Sequence, residues 1–323
     1  MFIKVLLFIF FLLPVGAGAA AVADEIEFDE QRWFGVLHEI QNKAIEQGIR
    51  PRTINAVIQQ SQFLPTVIRR DQNQSEFRLT LTEYINRTVT DARVRDGRAA
   101  KKRHADLLRR TERRFGVQPH VIMAFWGMES SYGTFKSTHQ ISDAFLTLIY
   151  DGRRRTFFTN QLMALMRIAD KNNLDIENMH GSWAGAMGHF QFIPTTLEQY
   201  GADGDGDGRI DKINSLADGM ASAGSYLRRL GWNQNERIVR QVTLPANFDR
   251  GLCDTRTKRS LAQWRQAGVQ GVPQANMTAG ILCDDSTFPK AWLTYANFDR
   301  IKRWNNSNAY ALAIALLADR LRN

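Results

Sequence analysis

The chain has only two cysteines, Cys253 and Cys283, among 323 residues, so it can close one disulfide bridge at most. After residue 23 it has no long apolar run, no internal repeat and no low-complexity segment. This argues against a membrane-spanning helix and a repeat architecture. The one apolar run, Val5–Val15 (VLLFIFFLLPV), is short for crossing a bilayer. It follows Lys4 and leads into small residues up to Ala23, with Ala-x-Ala sites at Ala21-Val22-Ala23 and Ala17-Gly18-Ala19. Such an order describes a cleavable secretory signal over residues 1–23. No cysteine lies near either site, which leaves no point for lipid attachment and no stable membrane anchor. The expectation is export as a soluble protein. In an oxidising compartment Cys253 and Cys283 are expected to be bridged, two free buried thiols being the other reading.

Composition is otherwise that of a globular protein, 44% hydrophobic and 23% charged, with length for one large domain or two smaller ones. Net charge is +9, with basic runs at Arg109–Arg114 and Arg153–Arg155. A basic exported protein can meet an anionic membrane, nucleic acid or an acidic polymer, or simply carry a solvated surface. Nucleic acid rests on charge alone and conflicts with export. Helical periodicity dominates from about Asp29 to Arg114 and returns in Ala217–Leu230 and Ala309–Leu321. Thr159–Ala169 reads as an amphipathic helix, Gly181–Tyr200 as irregular, and Arg237–Leu244 as a β piece. The fold class expected is mainly α (α+β), with a small mixed subdomain near 235–295.

In Pro119–Gly133 (PHVIMAFWGMESSYG), Ile122, Phe125, Trp126 and Glu129 recur at helical spacing and share one face. A carboxylate therefore stands where the pattern requires a hydrophobe. Burial favours its neutral form and raises its pKa. Pro119 suits the helix start and Gly133 its stop, which puts Glu129 in the last turn, where the helix dipole also favours protonation. These are the requirements of a general acid near neutral pH. The competing reading is a structural Glu paired with an Arg.

Two further segments carry chemistry. Gly181–Pro194 (GSWAGAMGHFQFIP) mixes small residues with Ser182, Gln191 and the aromatics Trp183, Phe190 and Phe192. Flat apolar faces beside short polar groups suit sugars, while a tight loop packed on the core is the plain alternative. Asp203–Asn214 (DGDGDGRIDKIN) has acidic residues at loop positions 1, 3, 5 and 9 and Gly at 6, as an EF-hand loop begins. Position 12 is Asn214 instead of a bidentate Glu, and Asp218 can donate in its place. Carboxylates this close repel without a cation, so structural calcium or a similar hard cation is expected.

In combination, GMESSYG at 127–133, GSWAGAMGHFQFIP at 181–194, the acidic loop and NNSNAY at 305–310 resemble the lytic murein transglycosylase B family, from about Phe28 to Leu321. The resemblance implies a lysozyme-like helical catalytic core with an inserted EF-hand-like metal loop and a small mixed subdomain. It implies one catalytic module over 24–323: a helical part about 24–115, the core about 116–232 with the metal loop 203–218, the mixed subdomain about 233–298 and a closing helix about 299–323. The family cleaves the MurNAc–GlcNAc β-1,4 bond of peptidoglycan and releases a 1,6-anhydromuramyl end. Matched residue by residue, its catalytic acid/base is similar to Glu129, and its glycan-contacting Ser and Gln to Ser182 and Gln191. Its later aromatic, Asn and Tyr positions match Tyr226, Trp304, Asn305 and Tyr310, and its paired arginines match Arg153 and Arg154. Its calcium ligands match Asp203, Asp205, Asp207, the Arg209 carbonyl and Asp218. Trp183 and Trp304 stand where the family commonly has other aromatics. His189 invites a second catalytic role, against the plainer reading that it packs the loop.

Two-carboxylate glycosidases need a second Asp or Glu at a set separation, and neither core motif holds one; Asp143 and Asp151 are the nearest downstream. A single-Glu route assisted by the substrate acetamide is therefore expected. The alternatives are a hydrolytic muramidase of the same fold and a non-catalytic peptidoglycan-binding protein. One EF-like loop makes a calcium sensor a weaker reading still. The implied partners are peptidoglycan glycan strands and other cell-wall enzymes, the compartment is the periplasm, and the state is a monomer without organic cofactor.

Overall fold

The computed structural model describes residues 26–72, 79–135, 137–211 and 214–323, and the signal read at residues 1–23 lies outside them. Along the chain come α1 (Glu30–Glu46), α2 (Pro51–Ile58) and α3 (Pro65–Gln72), then α4 (Leu81–Thr88), α5 (Asp91–Arg103), α6 (Ala105–Phe115) and α7 (Pro119–Ser130). Strands β1 (His139–Gln140) and β2 (His180–Gly181) bracket α8 (Ile141–Asp151) and α9 (Arg155–Asn172). After α10 (Pro194–Tyr200) and α11 (Leu216–Arg229) come β3 (Val239–Thr243), β4 (Arg259–Ser260), α12 (Leu261–Gln266), β5 (Thr278–Leu282) and β6 (Lys290–Thr294). The last helices are α13 (Ala296–Trp304) and α14 (Asn308–Leu321). The fold is thus mainly α with small sheets. Among the described residues it divides into two compact units, 79–132 with 223–323 and 26–72 with 133–222. No described helix is long and apolar enough to cross a membrane.

The first unit is organised by α7 and α14. Every residue of α7 from Val121 to Ser130 is buried, and so is most of α14 from Tyr310 to Leu321. A helix apolar on all sides has to be enclosed, and these two pack against each other. The stripe read from Ile122, Phe125 and Trp126 is thus only part of a wholly buried helix. Pro119 opens α7 as expected. The stop falls before Gly133, because Ser131 and Tyr132 already turn into the left-handed region at φ 48° and 60°. That conformation is rare for residues with a side chain, and the Tyr132 ring accounts for it here. The ring occupies a slot between Gly97 of α5 and Gly127 of α7, where added Cβ atoms would lie 2.2 Å and 2.6 Å from its hydroxyl oxygen. Its O–H donates to the Arg93 carbonyl at 2.9 Å.

The same unit carries the antiparallel sheet in the order β3-β6-β5-β4. Pairing of Val242 with Ala291 and of Leu293 with Ile281 puts these four on one face. They close a small core with Phe248, Leu261 and Trp264, whose indole N–H donates to the Ala279 carbonyl at 2.8 Å. Cys253 and Cys283 are bridged beside this core, with Cα atoms 5.5 Å apart.

In the second unit α8 is buried from Ile141 to Tyr150. α9 covers the amphipathic helix predicted for Thr159–Ala169; it packs against α8 and α10 and leaves a narrow polar stripe, Thr156, Asn160, Arg167 and Lys171, outside its buried faces. The segment predicted as irregular, Gly181–Tyr200, begins in β2 and ends as helix α10, with Pro194 in its first turn. Gly185, at φ 78°, lies against the Phe145 ring, which a Cβ would meet at 2.0 Å. Phe28, Trp33, Phe63 and Tyr150 cluster at the start of this unit, with Phe63 centred 4.8 Å from Phe28 and 4.9 Å from Tyr150.

Alanine is a better helix former than glycine, yet the Tyr132 slot reverses the expectation. Gly97→Ala and Gly127→Ala should each destabilise the protein by about 1–3 kcal/mol through overpacking. In a Tyr132→Leu background Gly127→Ala should become neutral or stabilising, and Gly97→Ala should lose much of its cost, with Leu321 Cδ2 still 2.8 Å from the added Cβ. Thermal melts of the two double-mutant cycles check this, and an additive cycle would refute the slot.

Candidate active site

Glu129 lies in the last turn of α7 and is only 8% exposed. Its Oε1 accepts the Tyr310 hydroxyl at 2.5 Å, and the Trp304 side chain also hydrogen-bonds to it. The Trp304 ring lies in tilted contact 4.4 Å from Phe125 and 5.3 Å from Tyr226, and Tyr226 donates from its hydroxyl to the Arg303 carbonyl at 3.0 Å. Burial pushes the Glu129 pKa from 4.5 up to about 8, while Tyr310 and Trp304 pull it the other way. No Arg pairs with it among the described residues, so the structural ion-pair reading does not hold. The Tyr310 hydroxyl is itself pushed well up, by burial first and then by the Glu129 charge. Phe125 thus backs the two donors, while Trp126 turns toward His104 and Tyr132, with centroids 5.5 Å and 5.7 Å away. Asn305 is buried at the end of α13.

One neighbour was not singled out from sequence. Tyr84 of α4 has its phenol pKa raised by burial and by the charge of Glu129, so it lies near the same carboxylate. The Leu81, Tyr84, Ile85 spacing marks an inward face of α4 but does not say what it faces.

The remaining candidates lie in the second unit. The Ser182 hydroxyl accepts the Ala186 N–H at 3.0 Å and its own N–H donates to the Ala186 carbonyl at 2.8 Å, which closes the Gly-rich turn. Gln191, at φ 46°, donates from its amide to the Gly188 carbonyl at 3.0 Å. Arg153 and Arg154 both hold Asp71, Arg153 at 2.6 Å, and Arg153 also reaches Asp151 at 2.8 Å. Asp71 is a second residue missed from sequence, because its partners lie more than eighty residues along the chain. The two arginines are therefore oriented by a buried carboxylate. Asp143, the possible second acid, is pushed up to about 6 by burial, but it accepts the Gln62 N–H at 3.1 Å within this unit.

In the acidic loop, Asp203, Asp205 and Asp218 each offer a carboxylate oxygen, all within 4.8 Å of one another. Asp218 is buried and held by N–H groups of Gly204 and Asp211, both at 2.7 Å. Asp203 accepts from Gly206 at 2.6 Å and Gly208 at 2.9 Å. Asp207 instead accepts the Arg209 N–H at 2.8 Å and is outside the group. Three carboxylates so gathered, one of them buried, fit a hard cation.

The family model described as the transglycosylase SLT domain matches residues 33–319. Membrane-bound lytic murein transglycosylase B of Escherichia coli (strain K12) is 27% identical over 285 residues, 83% of this chain and 77% of that protein. The crystal structure of SltB3 from Pseudomonas aeruginosa in complex with NAG-NAM-pentapeptide is 36% identical, with a TM-score of 0.86 over 90% of this chain and 80% of that one. Its complex with NAG-anhNAM-pentapeptide gives 35% and 0.85 over the same shares. Escherichia coli lytic transglycosylase Slt35 in complex with calcium is 27% identical, with a TM-score of 0.79 over 89% of this chain and 92% of that one. These neighbours have the lysozyme-like fold expected from the motifs.

The Glu129 pKa is raised in the folded state, so the stability it contributes is complete below about pH 4.5 and is lost as pH rises through about 8. Wild type should therefore lose on the order of a few kcal/mol relative to Glu129→Gln across that window. Denaturant melts at several pH values measure it. Tyr310→Phe removes a hydrogen bond that lowers this pKa, so the titration seen by NMR of labelled glutamate should move higher still. A downward movement would contradict the assignment.

Proposed function

Because the chain belongs to the transglycosylase SLT family of lytic murein transglycosylases, we propose that it cleaves the MurNAc-β-1,4-GlcNAc bond of peptidoglycan without water, with Glu129 as the sole acid and base. The observation that carries this reading is the buried Glu129, neutral near pH 7 and held by Tyr310. Among the described residues, no second carboxylate contributes to its shift. Glu129 protonates the GlcNAc O4 as the C1–O4 bond breaks, and the MurNAc acetamide stabilises C1 from within the substrate. The resulting carboxylate then takes the proton of the C6 hydroxyl while O6 bonds to C1, which closes the 1,6-anhydro ring and restores the acid. The anhydro sugar in the ligand of the SltB3 relative supports this outcome. Tyr310 and Trp304 hold the carboxyl group in place. Ser182, Gln191, Tyr226 and Asn305 are read as glycan contacts, and Arg153 and Arg154 as anion contacts positioned by Asp71.

Asp203, Asp205 and Asp218 would hold a calcium ion with a structural role, shielding their mutual repulsion and pinning the loop to the start of α11. The relative Slt35 in complex with calcium supports this choice of metal. The secretory signal and the disulfide support export to the periplasm.

Mass spectrometry of digested sacculi tests the reaction. Anhydro ends should dominate, and Glu129→Gln should lower the rate by roughly 100-fold to 10,000-fold while sacculus binding persists. Reducible, hydrated MurNAc ends as the main product would indicate a muramidase instead. For the metal, saturating calcium should raise the melting temperature against a chelator control, and Asp218→Asn should abolish that difference. Equal melting temperatures with and without calcium would remove the metal from the proposal.

A further inference from the structure

α5 and α6 meet at His104, which ends one and begins the other. Across this junction Lys102, Arg103, Arg109, Arg110, Arg113 and Arg114 are all exposed. The acids between them are Asp106, which pairs with Arg109, and the half-buried Glu112. Arg109 with Arg113 and Arg110 with Arg114 are like charges at i, i+4, an arrangement that destabilises a helix. Folding alone does not require such a surface. α6 already has its buried side in Leu108 and Thr111.

We propose that this guanidinium-rich face of α5–α6 is a second, non-catalytic contact for the substrate polymer, taking the free carboxylates of the peptides attached to peptidoglycan strands. The inference rests on the function proposed above. Arginine forks match carboxylates bidentately, and a net charge of +9 complements a polyanion at long range. Single exposed ion pairs are weak, but a polymer that presents one peptide after another engages several at once, and such contacts multiply. A bilayer suits the face less well. The large exposed hydrophobics among the described residues are Phe28, Phe34, Ile45, Phe135, Met277 and Phe288, and none lies on α5 or α6 to wedge into lipid.

The test compares Arg110→Glu/Arg113→Glu and the milder Arg110→Gln/Arg113→Gln with a control, Lys171→Glu/Lys290→Glu, that removes as much charge elsewhere. Binding to purified sacculi is measured in a Glu129→Gln background, and cleavage of a soluble NAG–NAM–pentapeptide oligomer in the active background. At low ionic strength the Glu pair should bind sacculi about tenfold more weakly and the Gln pair less so, and the difference should vanish near ~0.5 M salt. The control should weaken binding far less than the Glu pair does, and all variants should cleave the soluble oligomer at the parental rate. Equal weakening in patch and control variants would overturn the proposal, as would unchanged binding in both patch variants. Loss of binding to phosphatidylglycerol vesicles with sacculus binding retained would assign the face to a membrane and equally overturn it. Failure of the parent protein to cleave the oligomer would instead count against the proposed reaction.

Discussion

A neutral carboxyl group inside a folded protein survives only if burial and hydrogen bonding oppose each other in the right proportion, and the Glu129–Tyr310 contact sets that proportion here. Burial alone favours the acid so strongly that it would give up its proton reluctantly. The Tyr310 hydroxyl at 2.5 Å and Trp304 favour the charged form, and the result lies near 8. A group so poised can donate and then recover a proton at neutral pH, as a reaction with one acid and no water requires. α7 is buried along nearly its whole length and α14 over most of its own, so neither partner can drift from the other without opening the core.

Around this contact the packing is specified by what small residues leave out. The Tyr132 ring fits only because Gly97 and Gly127 have no side chains. Its hydrogen bond to Arg93 then fixes the turn immediately after the acid. In the second unit the Gly-rich turn follows similar logic, with Gly185 laid against Phe145 and the Ser182 hydroxyl folded back onto Ala186. Ser182 is thereby pre-positioned by its own loop, as the glycan contact proposed for it would require.

Much of this was legible in the sequence, for reasons that differ from residue to residue. Glu129 declared itself as a carboxylate among Ile122, Phe125 and Trp126, a local pattern that needs no knowledge of the rest of the chain. The acidic loop was equally local, and its Asp203, Asp205 and Asp218 do converge. Tyr310 and Trp304 were accessible only through the family resemblance that matched their positions, since no periodicity reveals which buried tyrosine meets which acid. Asp71 and Tyr84 escaped because each acts on partners far along the chain. The amphipathic reading of α9 found the helix, but the width of its buried face depends on neighbours that α9's own sequence does not name. The helix α10 was hidden by its Gly-rich lead-in, although Pro194 in its first turn was the available signal.

Glu129 and Tyr310 are 181 residues apart. Bringing together groups of such separation costs loop-closure entropy, which the packing of α7 against α14 has to offset. Until α14 docks, Glu129 is an ordinary solvated acid, ionised at neutral pH and unable to protonate a leaving group. Acquiring the proton is therefore a folding event, and the chain gains its reactive group only as α7 and α14 come together.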